Sequence, residues 1–353
     1  MTMVLTSERI EVASLEGFQQ HALEQAWHDG LPLVPPTEDR VQRMLEHCVR
    51  PADESLGAVA PYYGLATIEK LAIIAVMAGC RPAYFPILLT AVQAVIKPEF
   101  NLYGIQATTS PVAPLILVSG PIAEQVGMNA GDNAFGQGNV ANATIGRALR
   151  LVLIILGGGT IVPQVDRATH GFPAKYSFCA SENVAATPWQ PFAVRRGLEP
   201  ATSAVSVFGV HGFHSMIDMV SSTAEELMPS LSAGVAASGT NNMTHGGEGL
   251  LVLSPEHAEI IHGSGWTIRD VQNYLFEHAR IDMTRLAPAL RTYLRTRRPK
   301  WVDQDRYPVT DSPDDYQVIV VGGTGIHSVF LPSFGSTRAV TLPVLDVERS
   351  TGS

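Results

Sequence analysis

Short apolar runs, each closed by glycine, serine or proline and followed by a helix start, recur along this chain. Leu115-Ile116-Leu117-Val118-Ser119-Gly120-Pro121 and Leu250-Leu251-Val252-Leu253-Ser254-Pro255 are two of them, and they align with a one-residue shift at the turn. Gln317-Val318-Ile319-Val320-Val321-Gly322-Gly323 is a third. Runs this short, bounded by turn residues, read as buried strands. Repeated strand–turn–helix units predict a layered α/β fold with helices packed on short apolar strands. The pairing of the first two runs predicts two related halves, 51–200 and 201–353, behind an N-terminal helical arm at 1–50.

Helical punctuation fills in the rest. Gly30–Pro36 breaks the arm, and Thr37 stands where a hydroxyl can cap a second helix. Thr67 takes the same place before a helix that ends near Gly79, and residues 83–96 form the next, with Pro86 tolerable in its first turn. Residues 71–96 are strongly apolar, but Gly79, Arg81, Pro82 and Pro86 divide them, and a membrane span needs roughly 20 uninterrupted apolar residues. Residues 297–315, polar and proline-bearing, predict a surface loop, and the closing residues 349–353 a frayed end.

Composition narrows the function classes. With 46% hydrophobic and 16% charged residues, the chain is no disordered segment and has surface to bury, a subunit interface of a homo-oligomer included. Net charge is −9, and the one basic run is Arg295–Lys300, so a nucleic-acid partner is not expected. Cys48, Cys80 and Cys179 fit neither a disulfide framework nor a zinc spacing, and the N-terminus lacks the build of a signal peptide. A cytoplasmic protein without a membrane segment is the expectation.

Four constellations carry candidate chemistry. In Gly131–Arg150 a glycine-rich loop runs into a helix, whose free N–H groups and dipole attract anions. Gly136 and Gly138 would let the backbone approach a ligand, with Asn142 and Arg147 completing a site for a small carboxylate or phosphate. The alternative is a packed helix with solvent-facing arginines. The match of Gly136-x-Gly138-x-x-Ala141 to a dinucleotide fingerprint lacks the preceding strand and the following acid that chemistry needs. If Arg147 binds substrate, its replacement by alanine weakens binding and leaves the thermal midpoint unchanged.

The second constellation follows the strand at 317–321, where α/β sheets place ligands beyond the carboxyl end. Gly323, Gly325, His327 and Ser328 would sit at that mouth, unless the glycines serve only a tight turn. The third is a histidine group. His211, His214 and Asp218 share one face if their segment is helical, and His245 and Glu248 lie on a loop before a strand. Such a set suits a divalent metal, zinc, iron or manganese, although isolated histidine pairs also serve as hydrogen-bonded structure. The fourth is Cys80, ahead of a helix start and beside Arg81, both of which favour a thiolate. Glu182, close in sequence to Cys179, offers a general acid or base.

Six phrases taken together carry a resemblance: DGLPLVPPT at 29–37, VMAGCRPAYFP at 76–86, GQGNVANATIGRALRL at 136–151, CASENVAATPW at 179–189, LVLSPEHA at 251–258 and VGGTGIHS at 321–328. They resemble an uncharacterised bacterial family whose genes often neighbour those of small UGSC-motif (seleno)proteins, over most of 29–340. By association the resemblance implies sulfur or redox chemistry and a small thiol or selenol protein as partner. The metal reading of the histidine group does not lean on this resemblance.

Together these features point to an enzyme acting on a small polar or anionic metabolite by hydrolysis, hydration or elimination. Cys80, Glu182 and His327 would move protons or attack. Gly136, Gly138, Asn142, Arg147, Gly323, Gly325 and Ser328 would hold the substrate, with His211, His214, His245 and Glu248 around a metal. A thiol-dependent reductase or transferase component, and a non-catalytic subunit of a complex, are the alternatives.

Overall fold

The computed structural model describes residues 5–161 and 165–344; residues 349–353, expected to fray, lie outside them. Strands β1 (Ser55–Val59) and β2 (Gly64–Thr67) form a hairpin, followed by β3 (Ala113–Ser119), β4 (Cys179–Ser181), β5 (Ala204–Val210) and β6 (His214–Ile217). Then come β7 (Gly249–Leu253), β8 (Arg280–Asp282), β9 (Arg306–Pro308), β10 (Tyr316–Val320), β11 (His327–Pro332) and β12 (Val340–Pro343). Eight of these strands make two four-stranded sheets, ordered β4-β3-β5-β12 and β10-β7-β11-β6.

The two sheets share one plan. In each, the apolar run with the Ser-Pro or Ser-Gly-Pro turn is central, with a parallel strand on one side, an antiparallel strand on the other and a further antiparallel strand beyond. Side chains alternate across each strand. Leu115 and Leu117 of β3, Phe208 and Val210 of β5, Leu250 and Val252 of β7, and Ile319 of β10 meet in one apolar layer between the sheets. Ile116 and Val118 turn instead to the helices Ile68–Ala78, Phe85–Ile96 and Val140–Ile155. Leu251 and Leu253 turn to Ala224–Val235, Pro255–Gly263 and Ile268–His278. The order of layers is helices, sheet, sheet, helices, as the expected layered α/β fold requires. Both central strands are buried on both faces, which explains runs without polar alternation.

The division of the chain at residue 200 does not separate the sheets. β5 and β12 complete the first sheet and β6 belongs to the second. The reason is a crossing at Val210 and Ser333, which pair antiparallel; His211 N–H donates to Pro332 O and Phe334 N–H to Gly209 O, both at 3.0 Å. There β5 and β11 each hand the chain to the opposite sheet, so the fourth strands are exchanged.

Local punctuation follows the expected rules, with exceptions. Thr67 caps Ile68–Ala78, its hydroxyl accepting from Lys70 N–H at 3.3 Å, and Gly79 closes that helix at φ 87°, a conformation natural to glycine. Thr37 stands at the start of Glu38–Leu45, but its hydroxyl makes no capping bond. His214–Ile217 is a strand, not a helix, because β11 offers it a ladder. Within 297–315, β9 pairs with β8, so that segment is ordered against the second unit. Among the described residues no helix is long and apolar enough to cross a membrane.

A fragment ending at residue 200 lacks β5 and β12 and leaves one whole side of β3 unpaired. It is expected to show no cooperative thermal unfolding by circular dichroism, while the full chain does.

Candidate functional site

A cavity of about 650 Å³ opens at the carboxyl ends of β7 and β10. Val252, Val321 and Val329 form its floor from the second sheet. Opposite stands an aromatic wall: Phe135 meets Phe178 edge-on at 5.4 Å between ring centroids, Phe172 meets Phe178 at 6.3 Å, and Phe213, just before β6, meets Phe135 at 6.0 Å. Such contacts hold aromatic rings at defined angles beyond the gain from burial. The polar rim is Asn133, Ser177, Ser254, Thr324 and His327, and His327 brings the one imidazole among them.

Two glycine-bearing loops frame the opening, and a side-chain amide holds each, Asn142 buried and Asn183 half-buried. Asn142 Oδ1 accepts from Asn129 N–H at 3.0 Å, while its Nδ2 donates to Asn129 O at 2.8 Å and Ala134 O at 3.1 Å. The other loop is tied by Gly322 N–H to Ala130 O at 2.8 Å and by Asn183 Nδ2 to Gly322 O at 2.9 Å. Gly322 sits at φ 111°. A Cβ on Gly323 would overlap the Asp132 carboxylate, and one on Gly136 the Asn133 side chain, so both glycines are required by the closeness of their loops. Gly325 has open space and no left-handed backbone.

Behind the rim lies a buried hydroxyl–imidazole pair. His257 Nδ1 and Ser328 Oγ are 2.8 Å apart, and His257 Nε2 lies 3.0 Å from Asp218 O. A carbonyl can only accept, so Nε2 carries the proton and Nδ1 accepts from Ser328. Ser328 Oγ in turn accepts Ser254 N–H at 3.2 Å. The pair fixes the start of β11, and hence the backbone that carries His327.

Of the residues singled out in the sequence, Gly136, Gly323, Gly325 and His327 line the cavity together. Gly138 does not, and Asn142 and Ser328 stand behind its walls. Arg147 is engaged elsewhere. Its Nε donates to Asp29 Oδ2 at 2.7 Å and its Nη2 to Asp29 Oδ1 at 3.0 Å, with Leu31 O and Pro32 O also in reach. That bidentate pair fastens the extended segment of the arm to the helix Val140–Ile155, leaving no free guanidinium for an anion.

Cys80 is no thiolate: burial pushes it up to about 12, outweighing Arg147 nearby, and its Sγ–H donates to Thr144 O at 3.3 Å. Burial raises Cys179 as well. Glu182 is buried outside the cavity, accepting from Phe192 N–H at 2.9 Å and Ser119 Oγ–H at 2.9 Å; burial pushes its carboxyl up against those bonds. The metal set does not assemble, since among the described residues no three His, Cys, Asp or Glu side chains converge. His211 is pushed down by burial, with Nε2 lacking a hydrogen-bond partner. His214 lies on β6 and His245 is exposed; burial pushes Glu248 up, and it accepts Ala339 N–H at 2.7 Å.

Sheet register shows why only one end is open. Glu182 and Asn183 follow β4 as Val321 and Gly322 follow β10. At the β4 end the segment Phe192–Arg195 fills the place: Phe192 is fully buried against Phe208, and Arg195 reaches Val318 O. The sequence reading missed the four phenylalanines and Ser254. Phe135 lies within the glycine-rich segment 131–150 and Phe213 between His211 and His214, so their place beside polar candidates was the available signal. No protein-family model, curated protein or solved structure matches the chain.

Two outcomes test these placements. Arg147→Ala strands a carboxylate whose side chain is 3% exposed, and should lower stability by about 3 kcal/mol in denaturant titration. Iodoacetamide at neutral pH should leave Cys80 unmodified in the folded protein and label it after denaturation, as read by mass spectrometry.

Proposed function

We propose that the protein is an enzyme whose substrate occupies the cavity between the phenylalanine wall and the glycine turn at 322–325. The observation that carries this is the convergence of a roomy apolar cavity, a backbone-rich rim and one imidazole at the carboxyl end of a sheet. The lining has no arginine, lysine or carboxylate, so a neutral molecule with a planar or apolar body fits it better than an anion. His327 would exchange a proton with water or with the substrate, and the hydroxyls of Ser177, Ser254 and Thr324 would orient the polar end. Hydration, elimination and hydrolysis by imidazole-activated water all need this much. The thiol-dependent alternative draws no support from Cys80, whose half-buried thiol donates to Thr144 O and is pushed up to about 12 by burial.

Benzamide, a flat ring with one neutral polar end, is a suitable probe. At millimolar concentration it should raise the melting temperature of the wild type. Gly325→Leu, a substitution the backbone accommodates, should fold normally and abolish that shift. His327→Gln should keep the shift and lower turnover of an identified substrate by roughly 100-fold or more. An unchanged benzamide shift in Gly325→Leu would remove the cavity from consideration.

A further inference from the structure

We propose that the substrate of this cavity is a peptide segment, bound as an added strand on the outer edge of β6 with one apolar side chain between the phenylalanines. The inference rests on the cavity being the functional site, and concerns what enters it.

β6 is the outermost strand of the second sheet. Asp218 N–H donates to Ile326 O at 3.2 Å, and the register pairs Met216 with Ser328 and His214 with Phe330. Antiparallel alternation makes these the hydrogen-bonded pairs and turns the N–H and C=O groups of Ser215 and Ile217 outward. Among the described residues nothing pairs with them. The edge is also apolar: Phe213 is 51% exposed, Ile217 52% and Val220 86%. Long-lived monomers blunt such edges with proline or charge.

The first sheet does so. In β12, Val344 N–H donates to Ser203 O, which turns Thr341 and Pro343 outward; Pro343 has no N–H, and the Thr341 hydroxyl lies 2.9 Å from that of Ser206. Pro343 is the register equivalent of Ile217. One edge of a repeated plan is closed and the other left open, beside the open cavity.

Geometry joins the edge to the cavity. Ile217 is the cross-strand neighbour of His327, and Ser215 of Val329; His327 and Val329 line the cavity, as does Phe213 just before β6. Side chains of an added strand opposite Ser215 and Ile217 would share that face. Main-chain hydrogen bonds then supply affinity and the cavity supplies selectivity for an apolar side chain, the division of labour in strand addition.

The test uses acetyl-Val-Phe-Val-Thr-amide and two analogues, each N-methylated at one alternate set of residues, titrated calorimetrically against the full chain. The peptide should bind at least tenfold tighter than benzamide, and only one analogue should lose that advantage. Ile217→Pro, which copies the closed edge without removing a ladder bond, should lose the peptide's advantage and keep benzamide binding; Ser215→Pro should do the same if the first variant melts early. A peptide no tighter than benzamide, or one that ignores both prolines, overturns the inference and leaves the cavity reading intact. Failure of peptide and benzamide alike overturns both. A wild-type dimer in sedimentation that Ile217→Pro converts to monomer would assign the edge to a second copy instead.

Discussion

Everything in this molecule is arranged around the apolar layer in which the inner faces of the two sheets meet. Leu115, Leu117, Phe208 and Val210 from one sheet, with Leu250, Val252, Ile319 and Leu331 from the other, cannot be kept from water by helices, because helices already cover the opposite faces. Neither sheet is a stable object alone. The burial of each depends on the other, as large apolar areas removed from water dominate folding. Exchange of the fourth strands at the Val210–Ser333 crossing ties that mutual burial into the covalent chain.

A repeated plan would place equivalent openings at both ends, and the difference between them locates the cavity. At the end of β4 a short helical turn with Phe192 fills the space, and Glu182 is spent on holding its backbone N–H. At the end of β10 glycines replace bulk, and the aromatic wall stands back from them. Function belongs to the site and not to the fold. Here the cavity exists because one copy of the plan was left unfilled.

The conspicuous charged and amide side chains mostly serve as fasteners. Arg147 with Asp29 binds the arm, Arg298 with Asp311 closes the second unit at 2.6 Å, and Asn142 organises a loop from behind. Buried charges need full sets of partners, and such sets consume the groups a ligand would require. The cavity is left with hydroxyls, an amide, backbone and His327.

The strands at 115–119, 250–253 and 317–321, the cap at Thr67 and the stop at Gly79 were legible from sequence, because local steric preference and the spacing of apolar residues act over a few positions. That His327, Gly323 and Gly325 line a cavity was legible too, since a strand ending in glycines marks a mouth in an α/β sheet, while Gly136 stood out only as part of a glycine-rich loop before a helix. Chain order could not show which strand neighbours which, that β6 and β12 change places, or that Arg147 would find Asp29 more than a hundred residues away. It could not tell a thiol activated by Arg81 from one donating its proton to Thr144 O. Those outcomes depend on which apolar faces are buried together. That is a property of the whole packed chain: the same arginine, cysteine or histidine is reactive or inert according to what the packing brings against it.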